Sequence, residues 1–322
     1  MPDGSPPPNL TLRSPKTLAT AGLIAEVDIP MIEAVAARYA IAIPPALAAL
    51  ITAPNDPIGR QFIPHADELI TALHESTDPI ADEALSPVLG LVHRYPDRAL
   101  LKPLLACPVY CRFCFRREQI GPDGGLLTQA QLGATYEYLR AHPGIREVIL
   151  TGGDPLILSP RRLGDILANL SSIPHIEVLR IHTRVPVADP SLVTEDLASA
   201  LDITTPLFIA VHINHAAELT AAACAALNLL QRRAIPILGQ SVLLAGVNDT
   251  EALLADLFRA MLRARIKPYY LHQLDAAPGT ARFYVSPERG RALMAALRGK
   301  ISGTALPVYV FEQPGGAGKL PL

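Results

Sequence analysis

From Arg98 onward the chain predicts an α/β fold, a partial (β/α) barrel of about six parallel strands with a helical extension ahead of it. Two observations carry that expectation. Short apolar runs alternate with amphipathic stretches of helical period, the pattern of repeated βα units on a parallel sheet. Cysteines, histidines and paired glycines recur just after the apolar runs, where such a sheet presents its C-terminal strand ends. The expected strands are 98–106, 147–152, 177–183, 206–213, 235–243 and 266–274, with a final one near 307–311. Helices fit between them at 127–141, 160–171, 190–200, 217–233, 250–265 and 287–298. Residues 1–90 hold proline clusters, helical runs such as 31–39 and a polar connector around 56–67. They read as a helical N-terminal extension, and 91–322 as the barrel with a C-terminal segment closing on Lys319.

Bulk composition removes several classes of function. The 322 residues can bury one large core or two medium ones. With 50% apolar residues, 18% charged residues and a net charge of −2, nothing favours a phosphate-rich partner, so nucleic acid is not expected. The start, MPDGSPPPNL, lacks the basic end and unbroken apolar run of an export signal. The most apolar stretch, 41–52, contains Pro44 and Pro45 and falls short of the roughly 20 residues that a spanning helix needs. A soluble cytoplasmic protein without membrane contact is expected. Lysine is confined to Lys16, Lys102, Lys267, Lys300 and Lys319, so each merits a chemical question.

Three of the four cysteines fall in Cys107-Pro-Val-Tyr-Cys111-Arg-Phe-Cys114, a C-x3-C-x2-C loop directly after the first expected strand. Such packing suits metal binding better than a disulfide framework. Three thiolates can hold three corners of a four-iron cluster, leaving one iron open to a substrate or cofactor. The competing reading is structural zinc, completed in space by His93 or Cys224. Cys224 itself, in the helical run AAACAALNLL, reads as a small buried apolar residue.

This loop resembles the signature of the radical S-adenosylmethionine (SAM) enzymes, which implies a [4Fe-4S] cluster and SAM. Gly152-Gly153-Asp154-Pro155 after the second strand resembles their motif approaching the methionine amino group. The wider stretch from His93-Arg-Tyr-Pro-Asp-Arg98 to Arg116-Arg117, with Lys267-Pro-Tyr-Tyr-Leu-His-Gln-Leu-Asp275, resembles the lysine 2,3-aminomutase family over roughly residues 85–322. Asp56-Pro-Ile-Gly-Arg-Gln has the same flavour. That resemblance implies an isomerase moving an amino group from C2 to C3 of L-lysine, with pyridoxal phosphate carried on Lys319, where Pro314-Gly-Gly-Ala-Gly-Lys319 resembles the family's glycine-rich segment. It implies Arg94 and Arg98 at the cofactor phosphate, Arg116 at the substrate carboxylate, with Arg117 as competing candidate, and Asp275 and Glu312 at the ε-ammonium. Glutamate at 312 resembles the short branch that makes β-lysine for elongation factor P, whereas the glycine-rich segment resembles the long enzymes. The long enzymes' zinc-binding C-terminal cysteines have no counterpart here, so a zinc-linked assembly is not expected. Other implied features are a flavodoxin or ferredoxin as electron donor and a pocket containing His182, Thr183, Arg184, His212, Asn214, His215, Gln240 and Ser241. The rival readings are the same chemistry on arginine or ornithine, a solvated Lys319, an ordinary ion pair of either Arg94 or Arg98 with Asp97, a turn-capping Asp275, or a non-enzymatic metal-binding barrel.

Overall fold

A computed structural model describes residues 10–313 and 318–322. Four short helices, α1 (Pro15–Thr20), α2 (Ile29–Ala36), α3 (Pro45–Ala48) and α4 (Gly59–Phe62), occupy the N-terminal region. Then come β1 (Leu91–Tyr95), β2 (Arg98–Leu104), α5 (Gln129–Ala141), β3 (Glu147–Gly152), α6 (Pro160–Ser171) and β4 (Val178–Thr183). They are followed by α7 (Val185–Ala188), α8 (Glu195–Ala200), β5 (Leu207–His212), α9 (Ala221–Gln231), β6 (Ile237–Val242) and α10 (Glu251–Arg263). The chain finishes with β7 (Lys267–His272), α11 (Pro287–Leu297), β8 (Val308–Glu312) and β9 (Lys319–Pro321).

The strands form one nine-stranded sheet in strict sequence order. β2 to β8 pair in parallel and fall on the seven expected strand positions, so the expected barrel of about six parallel strands has seven. Antiparallel β1 and β9 flank them, giving nine in all. Both flanking strands escaped the sequence reading for local reasons. β1 turns back onto β2 through Pro96 and Asp97 inside a charged stretch, and β9 has only three residues after a glycine-rich run.

Alternation within the strands builds the interior. In β3, Val148 and Leu150 are fully buried under helices, while Glu147, Ile149 and Thr151 face the open side. β4 repeats this, with Leu179 and Ile181 beneath helices and Arg180 and His182 on the open face. The helices answer with matching stripes: α6 buries Leu163, Ile166, Leu167 and Leu170 at spacings of three and four. Hydroxyl N-caps at Thr128, Ser159, Thr194, Thr220, Thr250 and Ser286 start the long helices and α8, each stabilising its helix by about 1 kcal/mol. These caps also correct two expected helices. The 190–200 segment is a 3-10 turn followed by α8, and the 217–233 helix starts only after Thr220.

The N-terminal region packs Leu18, Ile32, Ile43, Leu47 and Phe62 into a second core that closes on Val109 of the cysteine loop and Ala188 of α7. Its backbone grips that loop directly. Tyr110 N donates to Ala42 O at 3.2 Å and Arg112 N to Gln61 O at 2.8 Å.

Phe258 of α10 is 1% exposed within the main core. Phe258→Ala is expected to lower unfolding free energy by about 3–5 kcal/mol through lost transfer energy plus a cavity, measured as a shift of the urea midpoint at unchanged m-value.

Candidate active site

Sequential parallel order sends the C-terminal ends of β2 to β8 to one rim, and a cavity of about 480 Å³ opens there. Cys107, Cys111 and Cys114 line it from the loop after β2. Burial, with Asp154 and the other thiols as lesser causes, raises the Cys107 thiol well above its ordinary value, and burial likewise raises Cys111 and pushes Cys114 up to about 11. Left to themselves these thiols stay protonated, so cation binding must displace their protons. Among the described residues no group of three or more His, Cys, Asp or Glu is placed to hold a single ion. His93 bonds Tyr138 at 2.9 Å, and Cys224 points its sulfur toward Leu219 O, both away from the three thiols. The zinc reading built on them therefore lacks its fourth ligand.

Arg184 is a buried cation beside the thiol loop. Its Nη1 donates to Cys111 Sγ at 2.9 Å, and its Nη2 reaches Gln61 at 2.6 Å and Glu218 at 2.7 Å. Sulfur and Glu218 hold it firmly cationic despite burial. Asn214 joins the same network through Gln61, while His215 caps the turn before α9 and Ser241 bonds Ile213 O. None of those last three residues lines the cavity, so the expected pocket shrinks to His182, Thr183, Arg184, His212 and Gln240 on this side. Gln61, named in the sequence reading only as part of a motif and without a role, and Glu218, which that reading passed over, do the bracing. Gln61 belongs to the Asp56-to-Gln61 segment; Asp56 itself accepts from the backbone of Thr52, Ala53, Ile58 and Gly59.

Gly152 and Gly153 form a side-chain-free cradle. Gly152 sits at φ +103°, and a Cβ on Gly153 would lie 2.1 Å from Ala106 O, so no larger residue fits beside the thiol loop. Asp154 follows them with its carboxylate accepting from Thr183 Oγ1 at 2.7 Å and from the backbone of Leu156, Arg184 and Val185. Its charge thus ties the β3 turn to the end of β4.

Across the cavity the charges alternate. Arg116 donates Nη2 to Asp82 Oδ2 at 2.8 Å, Arg94 lies 3.6 Å from Asp82 Oδ1, and Arg94 Nη1 meets Glu312 at 2.5 Å. Glu312 also accepts from Lys319 Nζ at 2.5 Å. Asp82, 2% exposed and invisible to sequence reasoning, is thus the hub of this row. Arg117 is the one of the two neighbours that the fold withdraws: it is buried against Glu68, Arg112 O and Gly279 O and stacks 3.6 Å from the Tyr39 ring centroid. Arg112 donates to Glu68 as well, at 2.5 Å. Arg98 pairs with exposed Asp97 at 3.1 Å and lies 3.7 Å over Tyr95, as the ion-pair reading expected, while still bordering the cavity.

Lys319 enters from β9, its backbone N–H donating to Tyr95 Oη at 3.1 Å. Gly318 before it has φ +132°, and a Cβ there would strike the Tyr95 ring at 2.3 Å. Residues 314–317 of the glycine-rich segment lie outside the described residues. Asp275, two strands' ends away in sequence but beside the same row, accepts no hydrogen bond on its carboxylate among the described residues. Burial, reinforced by Glu312 and opposed by Lys319 and Arg116, pushes it up to about 7. His272 is pushed down to about 3 by burial and Lys319, and burial keeps His182 and His212 neutral. His182 Nε2 is buried and has no hydrogen-bond partner among the described residues.

An acid raised in the folded protein destabilises it as pH climbs from the ordinary carboxylate value of 3.8 through about 7, after which the penalty is constant. Asp275→Asn is therefore expected to raise Tm relative to the parent, with a gain that is larger near pH 8 than near pH 5; a pH series by calorimetry checks it.

Residues 101–258 match the radical SAM superfamily. Over 269 residues the chain is 40% identical to L-lysine 2,3-aminomutase of Acetoanaerobium sticklandii, covering 84% of this chain and 65% of that protein. It is 41% identical to the L-lysine 2,3-aminomutase of Escherichia coli K12 over 84% of this chain and 78% of that one. A glutamate 2,3-aminomutase from Clostridioides difficile is 34% identical over 95% of this chain and 73% of its own length. The chain thus spans less than two thirds of the length of the Acetoanaerobium relative and 78% of the Escherichia coli one, and no helix among its described residues is long and apolar enough to cross a membrane. With the thiol loop, the Gly152-Gly153 cradle and the matched relatives in agreement, the chain belongs to the lysine 2,3-aminomutase family of radical SAM enzymes.

Proposed function

We propose that this protein is an isomerase that interconverts L-lysine and β-lysine by shifting the amino group between C2 and C3. The observation that carries the substrate assignment is the pair of carboxylates, Asp275 and Glu312, beside Lys319 in one cavity with Arg116. An amino acid ending in an ammonium gives Asp275 the counter-charge that it lacks and favours its ionised form. A glutamate side chain would instead bring a third carboxylate against Asp275 and Glu312, so the substrate of the Clostridioides relative is disfavoured here. Arginine and ornithine, which share the terminal cation, differ from lysine in reach.

The residues suit the cofactors of the family. Cys107, Cys111 and Cys114 would hold the cluster, Gly152, Gly153 and Asp154 would border SAM, and Lys319 would carry pyridoxal phosphate. When bound, these groups supply the hydrogen-abstracting radical and the delocalised ring system that the migration requires. The chain's own side chains bind and orient. Arg116 anchors the substrate carboxylate, and Asp275 and Glu312 hold the ε-ammonium, which fixes C2 and C3 between the two ends. Arg98 is freer than Arg94 to meet the cofactor phosphate, since its exposed partner Asp97 holds it weakly while Arg94 is enclosed by Glu312 and Asp82. His182 and Gln240 line the same wall. Pairing of Lys319 with Glu312 keeps the lysine at the cavity until the cofactor takes it. An external electron donor of the flavodoxin or ferredoxin type and a cytoplasmic location complete the reading.

The deciding experiment is anaerobic reconstitution with iron, sulfide and pyridoxal phosphate, followed by reductant, SAM and L-lysine. β-Lysine is expected by mass spectrometry, with no β-glutamate from L-glutamate. Release of 5′-deoxyadenosine without β-lysine would transfer the assignment to another amino acid such as ornithine or arginine, and neither product would overturn it. Lys319→Ala is expected to lose the pyridoxal absorbance band while keeping its iron; persistence of the band would remove Lys319 from that role.

A further inference from the structure

Asp82 stands where no cofactor or substrate role has been assigned, yet two arginines at the rim, Arg116 and Arg94, converge on it. Its side chain is 3% exposed. Oδ2 accepts both Nε of Arg116, at 3.3 Å, and Nη2, at 2.8 Å. Oδ1 lies 3.6 Å from Arg94 Nη2 and has no hydrogen-bond partner among the described residues. The backbone around it is tied down, since Asp82 N donates to Asp78 Oδ1 at 2.8 Å and Ser86 Oγ to Asp82 O at 2.8 Å. A buried carboxylate without these cations would be strongly unfavourable, and two arginines this close without the carboxylate would repel each other.

The orientation of Arg116 follows from these contacts. Asp82 takes the Nε–Nη2 edge of the guanidinium, and Phe115 stacks against it with its ring centroid 4.3 Å away. Nη1 has no protein acceptor among the described residues, and Arg116 borders the cavity. A guanidinium held by one edge presents its remaining nitrogen in a defined direction, whereas an unheld arginine on a long flexible stem does not. Arg94 is meanwhile kept between Asp82 and Glu312, away from a second anion in the cavity.

We propose that Asp82 is a positioning residue for the substrate's α-carboxylate: it clamps one edge of Arg116, directs the free Nη1 into the cavity and separates Arg116 from Arg94. The inference rests on the reading of Arg116 as the carboxylate anchor. It requires that loss of the Asp82 charge harm ligands with a carboxylate and spare those without one.

Reconstituted holoenzyme, Asp82→Asn and Asp82→Glu are to be compared for L-lysine turnover and for competitive inhibition by L-lysinamide, which keeps the ammonium and lacks the carboxylate. Iron and pyridoxal content are measured alongside. Asp82→Asn is expected to raise the L-lysine KM by about tenfold or more, the equivalent of one charge-assisted hydrogen bond, with kcat within about threefold. Its lysinamide inhibition constant should move by less than about twofold, and Asp82→Glu, which retains the charge, should recover most of the lysine affinity. An unchanged lysine KM in Asp82→Asn overturns the proposal. So does a parallel loss for both ligands, or a fall in iron content shared by both variants, since either would make Asp82 a residue of the fold alone. If the parent enzyme neither turns over nor binds L-lysine, the substrate reading fails and the assignment of Asp82 falls with it.

Discussion

Burial of charge at the rim of an open half-barrel is the constraint on which the rest of this structure depends. Seven parallel strands in sequence order deliver their polar ends to one place, and little water reaches the side chains there. Every buried ion must then find a counter-ion or become neutral. The acids Asp82, Glu218 and Glu68 pair with Arg116, Arg184 and Arg112. The histidines take the other course and remain uncharged. Asp275 does neither completely, and this incomplete compensation marks it as a position that a cationic ligand would satisfy.

The N-terminal region contributes to the site as much as to the core. Gln61 meets Arg184 and Asn214, Glu68 meets Arg112 and Arg117, and Asp82 meets Arg116. Three short segments of the N-terminal region therefore brace four arginines at the cysteine loop and its surroundings. Such contacts restrict both loop and guanidinium without adding a side chain to the reaction, an arrangement suited to a site whose chemistry comes from bound cofactors.

Much of the barrel was legible because its signals are local. The short apolar runs at 147–152 and 177–183 and the three–four spacing in 160–171 depend only on neighbours in sequence. β1 and β9 were not legible, since a proline-bearing turn and a three-residue strand leave too little periodicity. The strand count came out low at the sheet edges for the same reason.

The sequence by itself determined the chemistry available: three thiols in eight positions, a paired glycine at the end of the second parallel strand, and scarce lysines of which Lys319 opens the last described strand. Those features are set by spacing along a short segment, and folding cannot change them. Only the tertiary structure decided which charges meet. Arg116 and Arg117 are adjacent in sequence and chemically alike, with only a family resemblance to prefer Arg116, yet in the fold one borders the cavity and the other is sealed behind Glu68. Arg94 and Glu312 are 218 residues apart, and Asp82 gains its meaning solely from two arginines that reach it through space. Electrostatic partnership depends on distance and desolvation, both of which exist only once the half-barrel has closed around them.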